Sequence, residues 1–356
     1  MDLSHLNVGH DLQTRLAVLC QKLNQPLLLE KLVGDASTRV FIRIFFDSGD
    51  TLVAMCYPEA AGFGDDSFVE IHDYLTYLGM PVPEIVSVHP KLGIIVMEDL
   101  GDSLLETAVQ MADENEKLRM YEQAMDIILR MVTNSTGTEQ TCVAHTRAFD
   151  FEKLSFEMDF FVTHFVDGFL KSELSPKTEN QLKQNLYSVC QALESEPRFF
   201  VHRDYHSRNL MIRHNKLVMI DFQDARMGPV QYDIVSLLRD SYVTLTDSLI
   251  HTLIDGFLRQ AGRVVSQSHE RFSHVFNLMA LQRNLKALGT FGYQTSVVGS
   301  TRYVSSINRT IGYLEQNLIK NPRIIPDPEL IMDLVISRTI TLSGQSLDPT
   351  TKPFSV

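Results

Sequence analysis

The chain has 356 residues, a formal net charge of −12 at pH 7, 44% hydrophobic residues and 21% charged residues. That length can bury a continuous core, and the balanced composition excludes a small stapled scaffold, a low-complexity polymer and wholesale disorder. An acidic chain with no long basic run lacks the electrostatic footprint of a nucleic-acid binder, so no nucleic-acid partner is expected.

In chain order, the first strong signals are short and β-like: Leu27 to Val33, Val40 to Phe46 and Thr51 to Tyr57, with Asp47-Ser48-Gly49-Asp50 as turn chemistry between the last two. Asp65-Asp66-Ser67 then opens a helical pattern through Phe68, Ile71, Leu75 and Leu78, which Gly79 and Pro81 stop. Glu84 to His89 and Gly93 to Glu98 resume the strand signal, predicting a five-stranded sheet with one helix inserted after the third strand.

After Gly101 the period becomes helical, with Leu118, Tyr121, Met125, Ile128 and Val132 on one face and similar stretches near 150–171 and 175–195. Short apolar runs at 199–201, 210–212 and 217–220 predict small strands inside a helical lobe, and helices resume from about Asp233 to about Ile319. Residues 343–356 read as a loose tail.

Cys20, Cys56, Cys142 and Cys190 show neither a C-x-x-C pair nor a zinc spacing, which predicts free thiols in a reducing compartment. The N-terminus lacks the basic-then-apolar pattern of a secretion signal, and no later apolar run reaches membrane-spanning length. A cytoplasmic protein with no membrane partner is expected.

The densest chemistry is His202-Arg203-Asp204-Tyr205-His206-Ser207-Arg208-Asn209, followed by Ile220-Asp221-Phe222. The order and separation fit the kinase catalytic loop H-R-D-L-x-x-x-N and a following Asp-Phe pair. Phosphoryl transfer needs one carboxylate to orient the acceptor hydroxyl and oxygen ligands to hold Mg2+ against the triphosphate. Asp204 suits the first task, Asn209 and Asp221 the second. Short polar side chains in loops also cap turns and bond backbone, and each of these residues taken singly would fit that role. Arg208 either faces a substrate phosphate or supports the loop.

These motifs, together with Gly-Asp-Ala-Ser-Thr-Arg at 34–39, Met-Glu-Asp-Leu-Gly at 97–101, Tyr-Asp-Ile-Val-Ser-Leu-Leu-Arg-Asp at 232–240 and Gln-Arg-Asn-Leu-Lys-Ala-Leu-Gly at 282–289, resemble the aminoglycoside phosphotransferase-like small-molecule kinases. The branch most similar is that of the anomeric N-acetylmuramate/N-acetylglucosamine kinases of peptidoglycan recycling. The resemblance implies an α+β, bilobal protein-kinase-like fold. It would have a small antiparallel-sheet lobe over 1–97, a hinge at 98–101 and a larger helical catalytic and acceptor-binding lobe over 102–342. It also implies ATP and Mg2+ as cofactors and an amino sugar as acceptor. Backbone groups at Glu98 to Leu100 would meet adenine, and Gly34, Ser37 and Arg39 would approach the phosphates. Arg208, Gln223, Gln282 and Arg283 would border the acceptor.

One departure stands out. The third strand ends in Cys56 where V-A-I-K carries the lysine that pairs with the ATP phosphates. Glu70, on the following helix, would be that lysine's partner and would meet Arg39 or Arg43 instead, or else lie on a solvated face. Asp233 either caps its helix or buttresses the catalytic loop. Gln282, Arg283 and Lys286 project beside a core stripe of Leu278, Leu281, Leu285 and Leu288, by default as a solvated basic face; the resemblance implies instead that this helix borders the acceptor pocket, with Gln282 and Arg283 as sugar contacts. The competing functions are the same chemistry on an aminoglycoside or amino alcohol, and a catalytically silent nucleotide sensor.

Overall fold

A run of leucines one turn apart, Leu12, Leu16 and Leu19, makes the first helix, α1 (His10–Lys22), in a stretch to which the sequence reading assigned no element. The computed structural model of the chain describes residues 3–24, 26–32, 38–62, 67–300 and 302–339. Gly34, Ser37, Asp65, Asp66 and the 343–356 tail lie outside the described residues. The chain divides into two units, one of Met1–Leu104 with Met211–Gln223 and one of Leu105–Leu210 with Asp224–Val356.

The first unit is built on β1 (Leu28–Lys31), β2 (Val40–Phe45), β3 (Thr51–Cys56), β4 (Ile85–His89) and β5 (Ile94–Glu98), with α2 (Phe68–Tyr77) between β3 and β4. The strands pair antiparallel in the order β1-β2-β3-β5-β4. The β2–β3 register runs from Val40 opposite Cys56 to Phe45 opposite Thr51, closed by a turn in which Gly49 takes φ +87°. Ile42, Ile44, Ala54, Cys56, Ile94 and Val96 form one core with Leu12, Leu16 and Leu19 of α1. Arg15 of α1 is buried, and its guanidinium bonds Asp11 and the carbonyls of Leu92, Tyr57 and Pro58, which satisfies a charge that burial would otherwise penalise.

The second unit is mainly helical: α3 (Leu105–Met111), α4 (Glu114–Ser135), α5 (Phe151–Phe161) continued by a π-helical turn (Val162–Phe169), and α6 (Pro176–Glu194). Short strands β6 (Phe199–Val201), β7 (Leu210–Arg213), β8 (Lys216–Met219) and β9 (Arg226–Gly228) follow, with β6 paired to β9 and β7 to β8. Most of the β7–β8 hairpin belongs to the first unit, where Met219 N–H donates to Pro81 O and Ile212 N–H to Ser103 O. The chain continues through α7 (Gln231–Leu238), α8 (Asp247–Ala261), α9 (His269–Ser296), α10 (Val304–Lys320) and α11 (Pro328–Ile331).

Every residue of α7 is buried. The α9 stripe Leu278, Leu281, Leu285 and Leu288 faces the core as its spacing requires. The α+β architecture expected from the sequence is the one found. Cys20, Cys56, Cys142 and Cys190 are free and buried. No helix among the described residues is long and apolar enough to cross a membrane.

Candidate active site

In the second unit, β6 ends at Val201 and leads into the 202–209 loop. Asp233, fully buried on α7, accepts the backbone N–H of His202 at 2.6 Å and of Arg203 at 3.0 Å. It therefore buttresses the loop, which decides between the two roles its sequence position allowed. Burial pushes its carboxyl up to about 7, against the two N–H bonds that favour the anion. Arg203 takes φ +85°, a left-handed conformation disfavoured for a side-chain-bearing residue and held here by those two bonds.

The rest of the loop is tied down residue by residue. Tyr205 donates its hydroxyl to Ala124 O at 2.9 Å. Ser207 gives both its N–H and its hydroxyl to Asp240, at 2.9 and 2.5 Å. Arg208 makes a two-pronged contact with Glu106, 2.8 and 3.0 Å, and stacks on the Tyr242 ring at 3.7 Å. Of its two sequence-level roles, Arg208 thus has the supporting one in its contacts. Asn209 Nδ2 donates to Asp204 O at 2.9 Å.

The Asp204 side chain is 24% exposed and stands among three cations. Lys286 Nζ lies 3.1 Å from Oδ1, Arg203 Nη1 3.6 Å from Oδ2 and Arg283 Nη2 3.9 Å from Oδ1. Burial raises the pKa of this carboxyl, but the three cations outweigh it and hold the group well below the ordinary carboxylate range. Arg203 also pairs with Asp224 at 2.5 Å, and Arg283 donates to Arg203 O at 2.8 Å while stacking on Tyr232 at 4.2 Å.

The α9 face bearing Gln282, Arg283 and Lys286 is not solvated. Gln282 is fully buried and donates its Nε2 to Glu157 Oε2 at 2.9 Å. Lys286, Glu106, Asp240 and Asp224 were not singled out as site residues from the sequence. Each lies far along the chain from the residue it engages.

In the first unit, Asp221 takes φ +66° and accepts a hydrogen bond from Gln223 Nε2 at 2.8 Å. Gln223 is therefore engaged beside the candidate metal ligand. Phe222 is buried and stacks on Phe68 of α2, with ring centroids 4.9 Å apart. Arg43, one of two arginines expected to face Glu70, instead has its guanidinium on Asp99 at 2.7 Å and Asp102 at 2.8 Å. Arg39 lies against Met55 Sδ and over the Tyr57 and Phe68 rings. Cys56 points into the core, and burial pushes its thiol up to about 12, so it cannot act as a phosphate-binding substitute for a lysine.

The 98–102 segment is pinned on both sides. Glu98 N–H donates to Glu84 O at 2.8 Å, Glu98 pairs with Arg213, and Asp99 O accepts from Arg213 at 2.6 Å. Gly101, at φ +78°, gives its N–H to Asp99 Oδ1 at 2.9 Å. The Glu98 N–H is thus already used in the first unit, and Leu100 is buried.

An amide oxygen and a carboxylate are hard oxygen donors of the kind Mg2+ takes. Among the described residues no cluster of three or more His, Cys, Asp or Glu forms a protein cage for a metal. Each group, taken in its own unit, is of a kind that suits a cation completing its shell with water and phosphate oxygens.

The chain belongs to the phosphotransferase enzyme family, whose profile matches residues 29–267. It is 29% identical over 308 residues to an N-acetylmuramate/N-acetylglucosamine kinase of Pseudomonas aeruginosa, covering 85% of this chain and 87% of the relative. A protein of the same description from Neisseria meningitidis serogroup B is 27% identical over 305 residues, covering 85% and 89%. In fold it is similar to the streptomycin-ATP-APH(2")-IIa ternary complex, with a TM-score of 0.60, 13% identity and coverage of 88% and 97%. The chain is therefore an enzyme, a kinase-type phosphotransferase with the protein-kinase-like architecture its motifs implied.

Proposed function

We propose that this phosphotransferase uses ATP and Mg2+ to phosphorylate an amino sugar, N-acetylmuramate or N-acetylglucosamine, at the anomeric hydroxyl. The observation that carries the reading is the setting of Asp204, an ionised carboxylate on a loop whose backbone Asp233 fixes. Such a group accepts a hydrogen bond from an acceptor hydroxyl and aims its oxygen at the γ-phosphorus. With Lys286, Arg203 and Arg283 around it, Asp204 would orient the hydroxyl through a hydrogen bond to its carboxylate. The acceptor oxygen bonds to phosphorus, the bond from the γ-phosphorus to the bridging oxygen breaks, ADP leaves with that oxygen, and the hydroxyl proton passes to an oxygen of the transferred phosphate and from there to solvent.

Asn209 Oδ1 and the Asp221 carboxylate would hold Mg2+, which when bound neutralises charge on the phosphate oxygens. Gly34, Ser37 and Arg39 are assigned to the phosphates, and Glu98 and Leu100 to adenine through backbone groups other than the Glu98 N–H. Glu70 is assigned to the nucleotide side with Arg39. The acceptor assignment is supported by the names of the relatives, since the phosphate machinery is shared across many alcohols.

The test is incubation with Mg-ATP and a panel of amino sugars, neutral sugars, choline and aminoglycosides, with ADP release and phosphorus NMR of the product. An anomeric phosphate formed from the amino sugars is the expected result. Transfer confined to choline or an aminoglycoside would overturn the acceptor, and no ADP release with any acceptor would leave a nucleotide sensor.

A further inference from the structure

We infer that Lys286 of α9 is the positioning residue of phosphoryl transfer, its ammonium holding the Asp204 carboxylate in the orientation that receives the acceptor hydroxyl. The inference rests on the role proposed for Asp204 and extends it to a residue 82 positions away in the chain.

Three cations surround the carboxylate, yet two are committed elsewhere. Arg203 sits 2.5 Å from Asp224 and 3.6 Å from Asp204, and Arg283 donates to Arg203 O at 2.8 Å while reaching Asp204 only at 3.9 Å. Lys286 alone of the three is within hydrogen-bond distance of Asp204, at 3.1 Å, and Asp204 is its ammonium's partner among the described residues. Between Asp204 and Asn209, Tyr205 bonds Ala124, Ser207 bonds Asp240 and Arg208 bonds Glu106. The backbone of the loop is thus fixed by Asp233, and the torsion of the carboxylate by α9.

The helix is rigid enough for that task. Leu285 and Leu288, either side of Lys286, are fully buried, and Gly289 and Gly292 let α9 approach the backbone of Phe161 and His164. An ammonium on a flexible stem can follow one carboxylate oxygen, whereas a planar guanidinium needs more room and a different angle.

The experiment is a double-mutant cycle on kcat with Lys286→Met, Lys286→Arg and Asp204→Asn. Lys286→Met should lower kcat about 10- to 100-fold with KM for ATP within about twofold, and Lys286→Arg should recover part of the loss. In the Asp204→Asn background, Lys286→Met should cost no more than about twofold, because a residue acting through Asp204 has nothing left to position. A further tenfold loss in that background would overturn the inference and give Lys286 a direct role on phosphate or acceptor. So would an unchanged kcat in Lys286→Met, or a raised KM for ATP with kcat retained. If Lys286→Met does not fold, Lys286→Gln and Lys286→Arg carry the same cycle. If the wild type phosphorylates an alcohol other than an amino sugar, the acceptor proposal fails while the cycle runs on that alcohol. If no acceptor is used and no ADP is released, the role proposed for Asp204 fails and this inference with it; if ATP is hydrolysed without an acceptor, ADP release reads the cycle.

Discussion

Asp233 accepts the backbone N–H groups of two successive residues, His202 and Arg203, at 2.6 and 3.0 Å, from a side chain that no solvent reaches. A carboxylate has acceptor capacity on both oxygens; an amide has one oxygen and brings two donors. Asp233→Asn should therefore leave a buried N–H without a partner and cost about 2–4 kcal/mol, with kcat falling as the loop shifts. Chemical denaturation and kinetics on the same preparation check this, and a variant with wild-type stability would remove the buttress.

Asp204→Asn keeps the shape of the side chain and removes the charge. Turnover should fall roughly 10²- to 10⁴-fold with nucleotide affinity nearly intact. Asp221→Ala should weaken Mg-ATP binding as well as turnover, because it deletes a charged ligand. Titration calorimetry with Mg-ATP separates the two patterns.

If an arginine has taken over the duty of the missing strand lysine, Arg39 is the candidate, because Arg43 is held by Asp99 and Asp102. Arg39→Ala should raise KM for ATP and depress kcat, whereas Cys56→Ala and Arg43→Ala should leave KM for ATP unchanged. Wild-type kinetics in Arg39→Ala would return phosphate binding to Mg2+ and backbone N–H groups.

His206 is kept neutral: burial, ahead of the neighbouring cations Arg283 and Lys286, pushes its pKa from 6.5 to about 3. The unfolded chain takes up this proton near pH 6.5 and the folded chain only near pH 3, so the group's contribution to stability is lost as pH falls through that window. Asp233 and Asp240, pushed up to about 7 and about 6, act with the opposite sign in both proteins being compared. Going from about pH 6.5 to about pH 5, wild type should therefore lose about 2 kcal/mol relative to His206→Gln. Denaturant midpoints at the two pH values measure it, and parallel curves would contradict the buried neutral imidazole.

A methyl group at Gly292 would stand 2.5 Å from His164 O and 2.8 Å from His164 C, both backbone atoms that cannot swing aside. Gly292→Ala should destabilise by about 1–3 kcal/mol through overpacking of α9 on the π-helical turn. The comparison variant is Gly256→Ala in α8, whose nearest neighbour is an Arg259 side-chain atom at 3.8 Å. There the helix-propensity gain of about 0.5–1 kcal/mol should appear as a higher Tm.

Much of the fold could be read from local pattern. The five strands, their inserted helix and the leucine stripe of α9 follow from residues whose partners are near in sequence or whose period states which face is buried. The α1 helix escaped because its signal is four short apolar contacts, Leu12, Leu16, Leu19 and Cys20, in an otherwise polar run. The burial of Gln282 was missed for a related reason: a polar residue at a helix position adjoining the core looks solvated until its buried partner, Glu157, arrives from another helix.

What the sequence by itself determined is the chemistry. Asp204, Asn209 and Asp221 are spaced along one continuous stretch, and that spacing carries information because a loop of fixed length limits where its own side chains can go. What the tertiary structure decided is the electrostatic setting of Asp204. The partners that hold the loop and the carboxylate, Asp233, Arg283 and Lys286, lie 30 to 82 residues on, brought in by α7 and α9. Charges interact through space and not along the chain, so a lysine on a distant helix leaves no local mark until packing sets it 3.1 Å from the carboxylate.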